Sequence, residues 1–520
     1  MNLRTDQDLL SGKRYQCLFL TLAFVIPMLW MAVVRFQGMG DGETANDAFY
    51  HVAMAEEGPA VFCAKKFPPL QLSVWRDTFA DKELLYHFLL SGLVKVQRLA
   101  GADGKAPFHF PALVFTALLL ASLLFAMKRM DVPPPLYLPM TLLAMMSAPN
   151  VLFRMLMLRP HILSLILMLI LCGALSGGTL RRRMVWTAVI SLVYAWSYSN
   201  PQFVLIPVLF FAAAGIREDG WKSLLLPAAA ASGVLLGLLV HPQFPNTFII
   251  WKVQSFDALF GPLLSGGARQ YGTLMPPLEM MAPGVVWNRN AIPLYVFGYL
   301  NFLIFSRLIF RLGWKRIPSY CYAVGGLSLL FLGGTFLVLR TVEYAGPFAG
   351  LFGAVVWGLA LKEDVFLPGR KEVRKFCLIL TLAAMLPALS ASAMNISYSG
   401  KVTPRPAGIG PWMERNLPEK TLVVNLSWGD FPSLYYASRK MVYLWGMDPE
   451  FSVAADPVRT RRIEQTLLNS SELTPRRFHA VTGAKYAVLL AKREKFVAYL
   501  KALGWRPLYE AEDGVVLSIN

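Results

Sequence analysis

The chain has 520 residues, of which 55% are hydrophobic and 16% are charged, and its mean hydropathy is +0.47. These values exclude an ordinary soluble globular domain and predict an integral membrane protein. The formal net charge of +18 does not indicate a nucleic-acid partner. The basic residues fall mostly in short groups between apolar runs, where they act as topology signals.

Apolar runs that cross, or nearly cross, a hydrocarbon core of ~30 Å predict a polytopic α-helical domain over residues 1–399, with about eleven transmembrane helices. The first run follows a basic start, as a signal peptide would. It is long enough to span, and no small-residue cleavage site follows it closely, so we expect a retained anchor. The runs lie near residues 15–34, 110–127, 135–150, 161–177, 184–199, 203–216, 223–241, 291–310, 319–339, 344–361 and 375–394.

One further apolar stretch, residues 83–101, carries Lys95 and Arg98 on an amphipathic pattern. We therefore expect a helix that lies along the membrane surface rather than across it. Residues 35–109 then form one long external loop. Residues 242–290, which mix aromatic, polar, Gly and Pro residues, form a second loop of a length that usually carries function.

The basic groups between the runs place the N-terminus in the cytoplasm by the positive-inside rule. The region after the last run then lies on the periplasmic or extracytoplasmic face of a bacterial-type inner membrane. From residue 400 to 520 the sequence is polar, and "TLVVNLSW" and "KYAVLLA" are typical of strands. "EKFVAYLKALGW" predicts a helix and Asp513-Gly514 a hairpin turn, so we expect a soluble α/β domain there.

The first external loop begins with an acidic and aromatic cluster, "DGETANDAFYHVAMAEEG". Asp47 differs from its acidic neighbours because Phe49, Tyr50 and His51 follow it. An acid beside aromatic rings at a membrane surface is partly desolvated, which suits it to proton transfer or metal binding. The alternative is a solvated acidic loop.

The order of these parts resembles the glycosyltransferase C superfamily, whose members use polyprenyl-phosphate sugars. The resemblance rests on a first transmembrane helix, a long external loop with "TANDAFYHVAMAEEG", an amphipathic segment "LLYHFLLSGLVK" and a many-helix bundle. Residues 44–56 are similar to the Asn-Asp-x-Tyr segment of the oligosaccharyltransferase catalytic subunit. The segment around Tyr86 and His87 resembles the juxtamembrane helix of the lipid-A aminoarabinose transferases. The resemblance covers nearly the whole chain, although each motif is short.

The resemblance implies a transfer with inversion from a polyprenyl-phosphate-linked sugar to a glycan, lipid or protein acceptor. It implies Asp47 as the catalytic acid that binds the acceptor or a divalent cation, Mg²⁺ or Mn²⁺, with Tyr50 and His51 in support. The oligosaccharyltransferase pattern has a second acidic motif where this chain has "APNVLFRMLMLRPHI", without Asp or Glu. Either Glu279 in "PPLEMM" supplies the second carboxylate, or Asp47 acts as a base without a metal.

Cations near the external ends of the spans are candidates for the donor phosphate. Arg159 and His161 lie in "RMLMLRPH", and Arg340 begins "RTVEYAGPF". Charged groups at membrane depth usually face a partner or a cavity. The planar guanidinium of Arg can donate two parallel hydrogen bonds to phosphate oxygens. The alternatives are interfacial snorkelling or a structural pair, such as Arg340 with Glu343.

In the soluble domain, "NLSWGDFPSLYY" resembles the Trp-Trp-Asp-Tyr-Gly acceptor motif of oligosaccharyltransferases in altered order. Trp428 and Asp430 are candidates for acceptor binding by stacking and hydrogen bonding. The alternative is a core residue followed by a turn at a strand end. The six scattered histidines and the lack of Cys pairs at ligand spacing predict no zinc site.

The sequence thus predicts a membrane glycosyltransferase with an extracytoplasmic site. One alternative is the transfer of a preassembled glycan to protein, as in an oligosaccharyltransferase. A second is a transporter or flippase for lipid-linked sugars, which would need titratable groups near the bilayer midplane. A third is a scaffold that presents the C-terminal domain. No GxxxxGK[ST] loop is present, which argues against an ATP-driven pump.

Overall fold

The computed structural model describes residues 13–39, 43, 46–100, 108–258, 282–365, 370–397, 406–469, 472–490 and 494–519. Its N-terminal part is helical, and a helix lies in each of the predicted apolar ranges. The helices of this part are α1 (Lys13–Met39), α2 (Asp47–Glu57), α3 (Leu84–Leu99), α4 (His109–Arg129), α5 (Tyr137–Met146), α6 (Pro149–Leu156), α7 (His161–Leu175), α8 (Leu180–Ala195), α9 (Leu205–Asp219), α10 (Leu225–Leu239), α11 (Asn246–Trp251), α12 (Val285–Asn290), α13 (Ile292–Leu312), α14 (Ser319–Gly334), α15 (Val342–Lys362) and α16 (Arg370–Ser397).

Six stretches in the described part of the chain are long and apolar enough to cross a membrane, and the bent pair α5–α6 would make a seventh. The protein is therefore a multi-pass membrane protein. Helices α7 and α14 are apolar but shorter, and α9 and α10 fall together in one stretch, Pro201–Leu239. Length and composition alone thus do not establish the predicted number of eleven spans.

The prediction of a single helix over residues 135–150 is wrong, because the chain bends by 88° between α5 and α6. Pro149 begins α6, and Ala148 before it is extended, with φ −149° and ψ 153°. A proline lacks an amide donor and disfavours a helical residue before it, so the helix ends at this point. Arg154, expected at an external turn, consequently lies within α6 and is buried.

Helix α15 lies at the centre of the bundle, and it approaches its neighbours through glycines. A Cβ added at Gly350 would lie 2.3 Å from Cβ and 2.7 Å from Cα of Ala144 on α5. Small residues at such crossings let the helix backbones pack closely, which is the main source of helix association in lipid.

A buried ion pair fixes the first external segment to this bundle. Arg35 near the end of α1 donates to Glu43 Oε2 at 2.6 Å, and both side chains are fully buried. Arg35 also donates to the carbonyls of Leu156, at the end of α6, and Phe108, which precedes α4. One guanidinium therefore joins three helix ends just before the chain enters α2.

Helix α3 is amphipathic, as predicted. Its buried face carries Tyr86, His87 and Leu90, whereas Phe88 and Leu99 are exposed. The surface-lying orientation agrees with this pattern and stays a prediction.

The C-terminal part contains a five-stranded sheet in the order β2-β1-β3-β5-β4. Strands β1, β2 and β3 are parallel, and β5 is antiparallel to both β3 and β4. Strands β4 and β5 form the expected hairpin around residue 513. Its elements are α17 (Ile409–Asn416), β1 (Leu422–Asn425), α18 (Phe431–Ala437), β2 (Val442–Tyr443), α19 (Pro449–Ala455), α20 (Pro457–Leu468), α21 (Pro475–Thr482), β3 (Tyr486–Leu490), α22 (Glu494–Ala502), β4 (Arg506–Ala511) and β5 (Gly514–Ser518).

The first external loop is part of this sheet. Leu70 pairs with Tyr443 as a parallel bridge beside β2, and the amides of Gln71 and Leu72 donate to the carbonyls of Tyr443 and Leu444 at 2.8 and 2.7 Å. Backbone pairing of this kind satisfies the polar groups of an otherwise open sheet edge. The loop and the C-terminal sheet therefore form one structural unit above the bundle.

We expect Gly350→Ala to destabilise the bundle by about 1–3 kcal/mol, because the added methyl group meets the backbone of α5. Gly333→Ala is the matched control, since nothing lies within 4 Å of a Cβ added there. The thermal unfolding midpoint of detergent-purified protein measures both effects. Equal midpoints for the two variants would contradict the close helix crossing.

We expect Arg35→Met to destabilise the protein by about 3–5 kcal/mol, because it leaves the Glu43 carboxylate buried without its guanidinium. Arg76→Met is the control. Arg76 pairs with Asp77 at the surface, and such exposed pairs are worth about 0–1 kcal/mol. Chemical unfolding monitored by tryptophan fluorescence compares the two, and a small effect of Arg35→Met would refute the anchoring role.

Candidate functional site

Asp47 is the first residue of α2, so its carboxylate sits at the positive end of that helix. Arg159, in the link between α6 and α7, donates from Nη2 to Asp47 Oδ2 at 2.5 Å. The Asp47 side chain remains 35% exposed, whereas that of Arg159 is 11% exposed. Asp47 is thus held in position by a mostly buried cation while it stays accessible to a ligand.

A second cation lies close by on the first external loop. The Lys82 ammonium lies 5.8 Å from the ring centre of Trp75 and 5.5 Å from that of Phe451. Lys82 lines a narrow cleft together with Tyr198 and Trp251. Cation–π attraction to the two rings therefore helps to hold the ammonium group in place.

A partly buried carboxyl group belongs to the same region. Asp448 caps α19 by accepting the amide of Glu450 at 3.1 Å. Burial raises the pKa of Asp448, and the nearby Asp47 carboxylate raises it further, while the charges of Lys82 and Arg340 lower it. Asp47, Lys82 and Arg340 are therefore all close enough to Asp448 to shift its pKa.

Arg340 lies at the start of α15 and belongs to the bundle. Its Nε is 3.2 Å from Glu343 Oε1, and its Nη2 donates to the Tyr198 hydroxyl at 3.1 Å. The ion pair with Glu343, the alternative raised by the sequence, is thus present. The Arg340 side chain is still 27% exposed.

His161 is not at the surface of this site. It is buried, its Nε2 donates to the carbonyl of Arg154 at 3.0 Å, and the same atom lies 4.0 Å from Glu343. Its role as a phosphate ligand stays a prediction, but in this structure its Nε2 is engaged within the protein.

Tyr50 and His51 are buried on α2, one turn beyond Asp47. His51 Nδ1 lies 2.8 Å from His87 Nε2, and His87 Nδ1 lies 2.7 Å from Asp81 Oδ2. Burial lowers the pKa of His51, and the neighbouring His87 lowers it further, so the imidazole is neutral. Glu83 lies beside these side chains, and burial raises the pKa of its carboxyl group.

The C-terminal part touches the residue before Asp47. Asn46 donates from its amide to the Gly429 carbonyl and accepts from the Ser433 hydroxyl. This contact brings the segment with Trp428 and Asp430 beside α2. Asp430 itself accepts the Leu490 amide at 3.5 Å, and Trp428 is partly buried, so both also serve the local core and turn.

The surroundings of Asp47 do not fit a divalent cation in the described part of the chain. Its carboxylate meets the Arg159 guanidinium, where a metal site would need a second carboxylate or imidazole. Glu279, the predicted second carboxylate, lies outside the described residues. A Mg²⁺ or Mn²⁺ ion at Asp47 therefore stays a prediction.

Sequence reasoning missed Lys82 and Asp448, which no local pattern distinguishes from other surface charges. It also missed the buried group of Glu83 with His87, although a Glu and a His four residues apart on a helix share one face. The four-residue spacing of Glu83 and His87 therefore indicates that the two side chains lie close together. The proximity of His51 to this pair depends on the packing of α2 against α3.

No family model matches the chain, and no curated protein sequence matches it. Solved structures do match. The apo oligosaccharyltransferase of Archaeoglobus fulgidus is 12% identical with a TM-score of 0.63, covering 98% of this chain and 75% of that protein. Apo ArnT from Cupriavidus metallidurans is 12% identical with a TM-score of 0.55, covering 98% of each chain.

A third match is arabinofuranosyltransferase AftD from Mycobacteria, which is 11% identical with a TM-score of 0.51. The match covers 98% of this chain and 40% of that one. All three are glycosyltransferases, so the fold that the resemblance implies is confirmed. This protein has the fold of the glycosyltransferase C superfamily of membrane enzymes.

Proposed function

We propose that this protein is a membrane glycosyltransferase. It transfers a sugar from a polyprenyl-phosphate-linked donor to an extracytoplasmic glycan, lipid or protein acceptor. The observation that carries the proposal is the accessible Asp47 carboxylate held by Arg159, with Lys82 and Arg340 in the same electrostatic environment. Related structures support the donor class: the archaeal enzyme AglB was solved with a dolichol-phosphate and ArnT with undecaprenyl phosphate.

The groups divide into two roles that suit this reaction. Asp47 accepts the proton of the acceptor hydroxyl or amide as the acceptor atom forms a bond to the anomeric carbon of the sugar. The bond from that carbon to the phosphate oxygen breaks, and its electron pair leaves with the phosphate. Lys82 and Arg340 offset the negative charge that develops on the departing phosphate. Attack opposite the leaving group inverts the anomeric centre.

Arg159 acts as a positioning residue in this scheme. Its bond to Oδ2 fixes the Asp47 carboxylate and leaves Oδ1 as the oxygen that receives the proton. Because the Arg159 side chain is mostly buried, its orientation does not depend on the substrate. Preorganisation of this kind removes the cost of ordering the base during the reaction.

A protein acceptor, as in oligosaccharyltransferases, is a second candidate. The contact of Asn46 with Gly429 and Ser433 favours it, because it brings the Trp428–Asp430 segment next to the acid. The A. fulgidus oligosaccharyltransferase has been solved with a tethered acceptor peptide. Incorporation of the sugar into the protein fraction, rather than the lipid or glycan fraction, would favour this candidate.

We expect Asp47→Asn to reduce transfer by about 10²–10⁴-fold, because the amide cannot accept the acceptor's proton. The assay follows a radiolabelled sugar from short-chain polyprenyl-phosphate donors into the acceptor fractions of native membranes. Asp77→Asn, an exposed acid of the same loop, is the control and should retain transfer. Full activity of a folded Asp47→Asn protein would overturn the assignment. Donor binding without transfer by the unaltered protein would favour a flippase or scaffold.

We expect Lys82→Met to lower kcat for the same donor by about 10²–10³-fold, because one cation that offsets the phosphate charge is lost while the apolar stem is kept. Lys440→Met is the control, since Lys440 pairs with Glu419 in solvent. Steady-state kinetics separate kcat from KM. A change confined to KM would indicate that Lys82 binds the donor without stabilising the departing phosphate.

A further inference from the structure

We propose that His51, Glu83 and His87 form a binding site for one transition-metal cation of the Zn²⁺ class. One ligand atom from each of the three residues lies within 4.8 Å of the others, and all three residues are buried. The site is separate from Asp47, and it uses histidines that give no zinc signature in the sequence. It joins α2 to the beginning of α3.

The nitrogen geometry supports a shared ligand. His87 Nδ1 donates to Asp81 Oδ2 at 2.7 Å, and His87 Nε2 lies 2.8 Å from His51 Nδ1. A carboxylate that orients the far nitrogen of a histidine in this way is the usual outer partner of a metal-binding imidazole. Asp81 is itself fixed, because it also accepts the Glu83 amide at 3.1 Å.

Glu83 supplies an independent observation. Its side chain is 94% buried, since only 6% is exposed, and its Oε2 has no hydrogen-bond partner among the described residues. A buried carboxylate oxygen without a partner carries a substantial desolvation cost. The nearest cation recorded for Glu83, Lys82, is 3.9 Å away and faces Oε1. A metal cation at the two imidazoles would satisfy the free oxygen.

The donor set selects the metal class. Two imidazole nitrogens and one carboxylate oxygen suit Zn²⁺ and similar borderline cations, whereas Mg²⁺ prefers oxygen ligands. Binding at tetrahedral geometry requires the nitrogens of His51 and His87 to separate from 2.8 Å to about 3.3 Å, for Zn–N bonds of about 2.0 Å. Metal binding at these two atoms requires that neither His51 Nδ1 nor His87 Nε2 carries a proton.

The position of the site suggests what the metal does. His51 is one helical turn from Asp47 on α2. A metal that links His51 to α3 therefore also fixes the rotation of α2 about its axis and its position along that axis. Three protein ligands leave a fourth position for water or a ligand. We assign the metal a positioning role, because none of its ligands touches Asp47 in the recorded contacts.

The test uses full-length, tag-free protein in detergent, stripped with a chelator and titrated with Zn²⁺ alone. We expect about one bound zinc per chain by elemental analysis and a rise in the thermal midpoint with Zn²⁺. Co²⁺ bound in place of zinc should give the visible absorption of a tetrahedral site. Millimolar Mg²⁺ should produce neither effect.

Each of His51→Gln, Glu83→Gln and His87→Gln should abolish the zinc-dependent midpoint shift, and Asp81→Asn should weaken zinc binding by about 10–100-fold. His479→Gln, a histidine of the C-terminal part, should bind zinc as the unaltered protein does. The ligand variants should melt like the chelator-treated protein, which separates lost binding from lost folding. Zinc binding that is absent in the unaltered protein, or unchanged in the three ligand variants, would overturn the proposal. Transfer activity does not enter these readouts.

Discussion

The buried pair of Arg35 and Glu43 is the contact on which the site depends. It lies where α1 ends and the first external loop begins, and it also binds the carbonyls of Leu156 and Phe108. Three residues after Leu156 the chain reaches Arg159, and four residues after Glu43 it reaches Asp47. The ion pair therefore constrains the distance between the two partners of the candidate active site.

Three parts of the chain that are remote in sequence complete the site around this anchor. The bundle provides Arg159 and Arg340, the first external loop provides Asp47 and Lys82, and the C-terminal part provides Asp448. Each part alone presents ordinary surface charges. Their mutual effect on the pKa of Asp448 arises only after the loop has joined the sheet beside β2.

The positions of the helices could be predicted from the sequence, because apolar runs of sufficient length have one stable form in lipid. Asp47 was identified through the family resemblance, and its aromatic neighbours gave independent chemical support. Pro149 in the sequence indicates an interrupted helix, but the prediction of a single helix over residues 135–150 does not take this proline into account. The pairing of Arg159 with Asp47, rather than with a phosphate, could not be predicted, because the distance between residues 112 positions apart is set by the packing of α2, α6 and α7.

The bridge between Leu70 and Tyr443 also constrains the topology of the whole membrane domain. Two segments that share one sheet must lie on the same side of the bilayer, so the chain crosses the membrane an even number of times between them. Only five of the six individually sufficient stretches follow Leu70, and five crossings are odd. Either a further helix crosses, or the 39-residue stretch Pro201–Leu239, which holds both α9 and α10, crosses twice. Adding the bent pair α5–α6 gives six crossings, and the eleven predicted helices give ten, so both of these counts satisfy the parity rule.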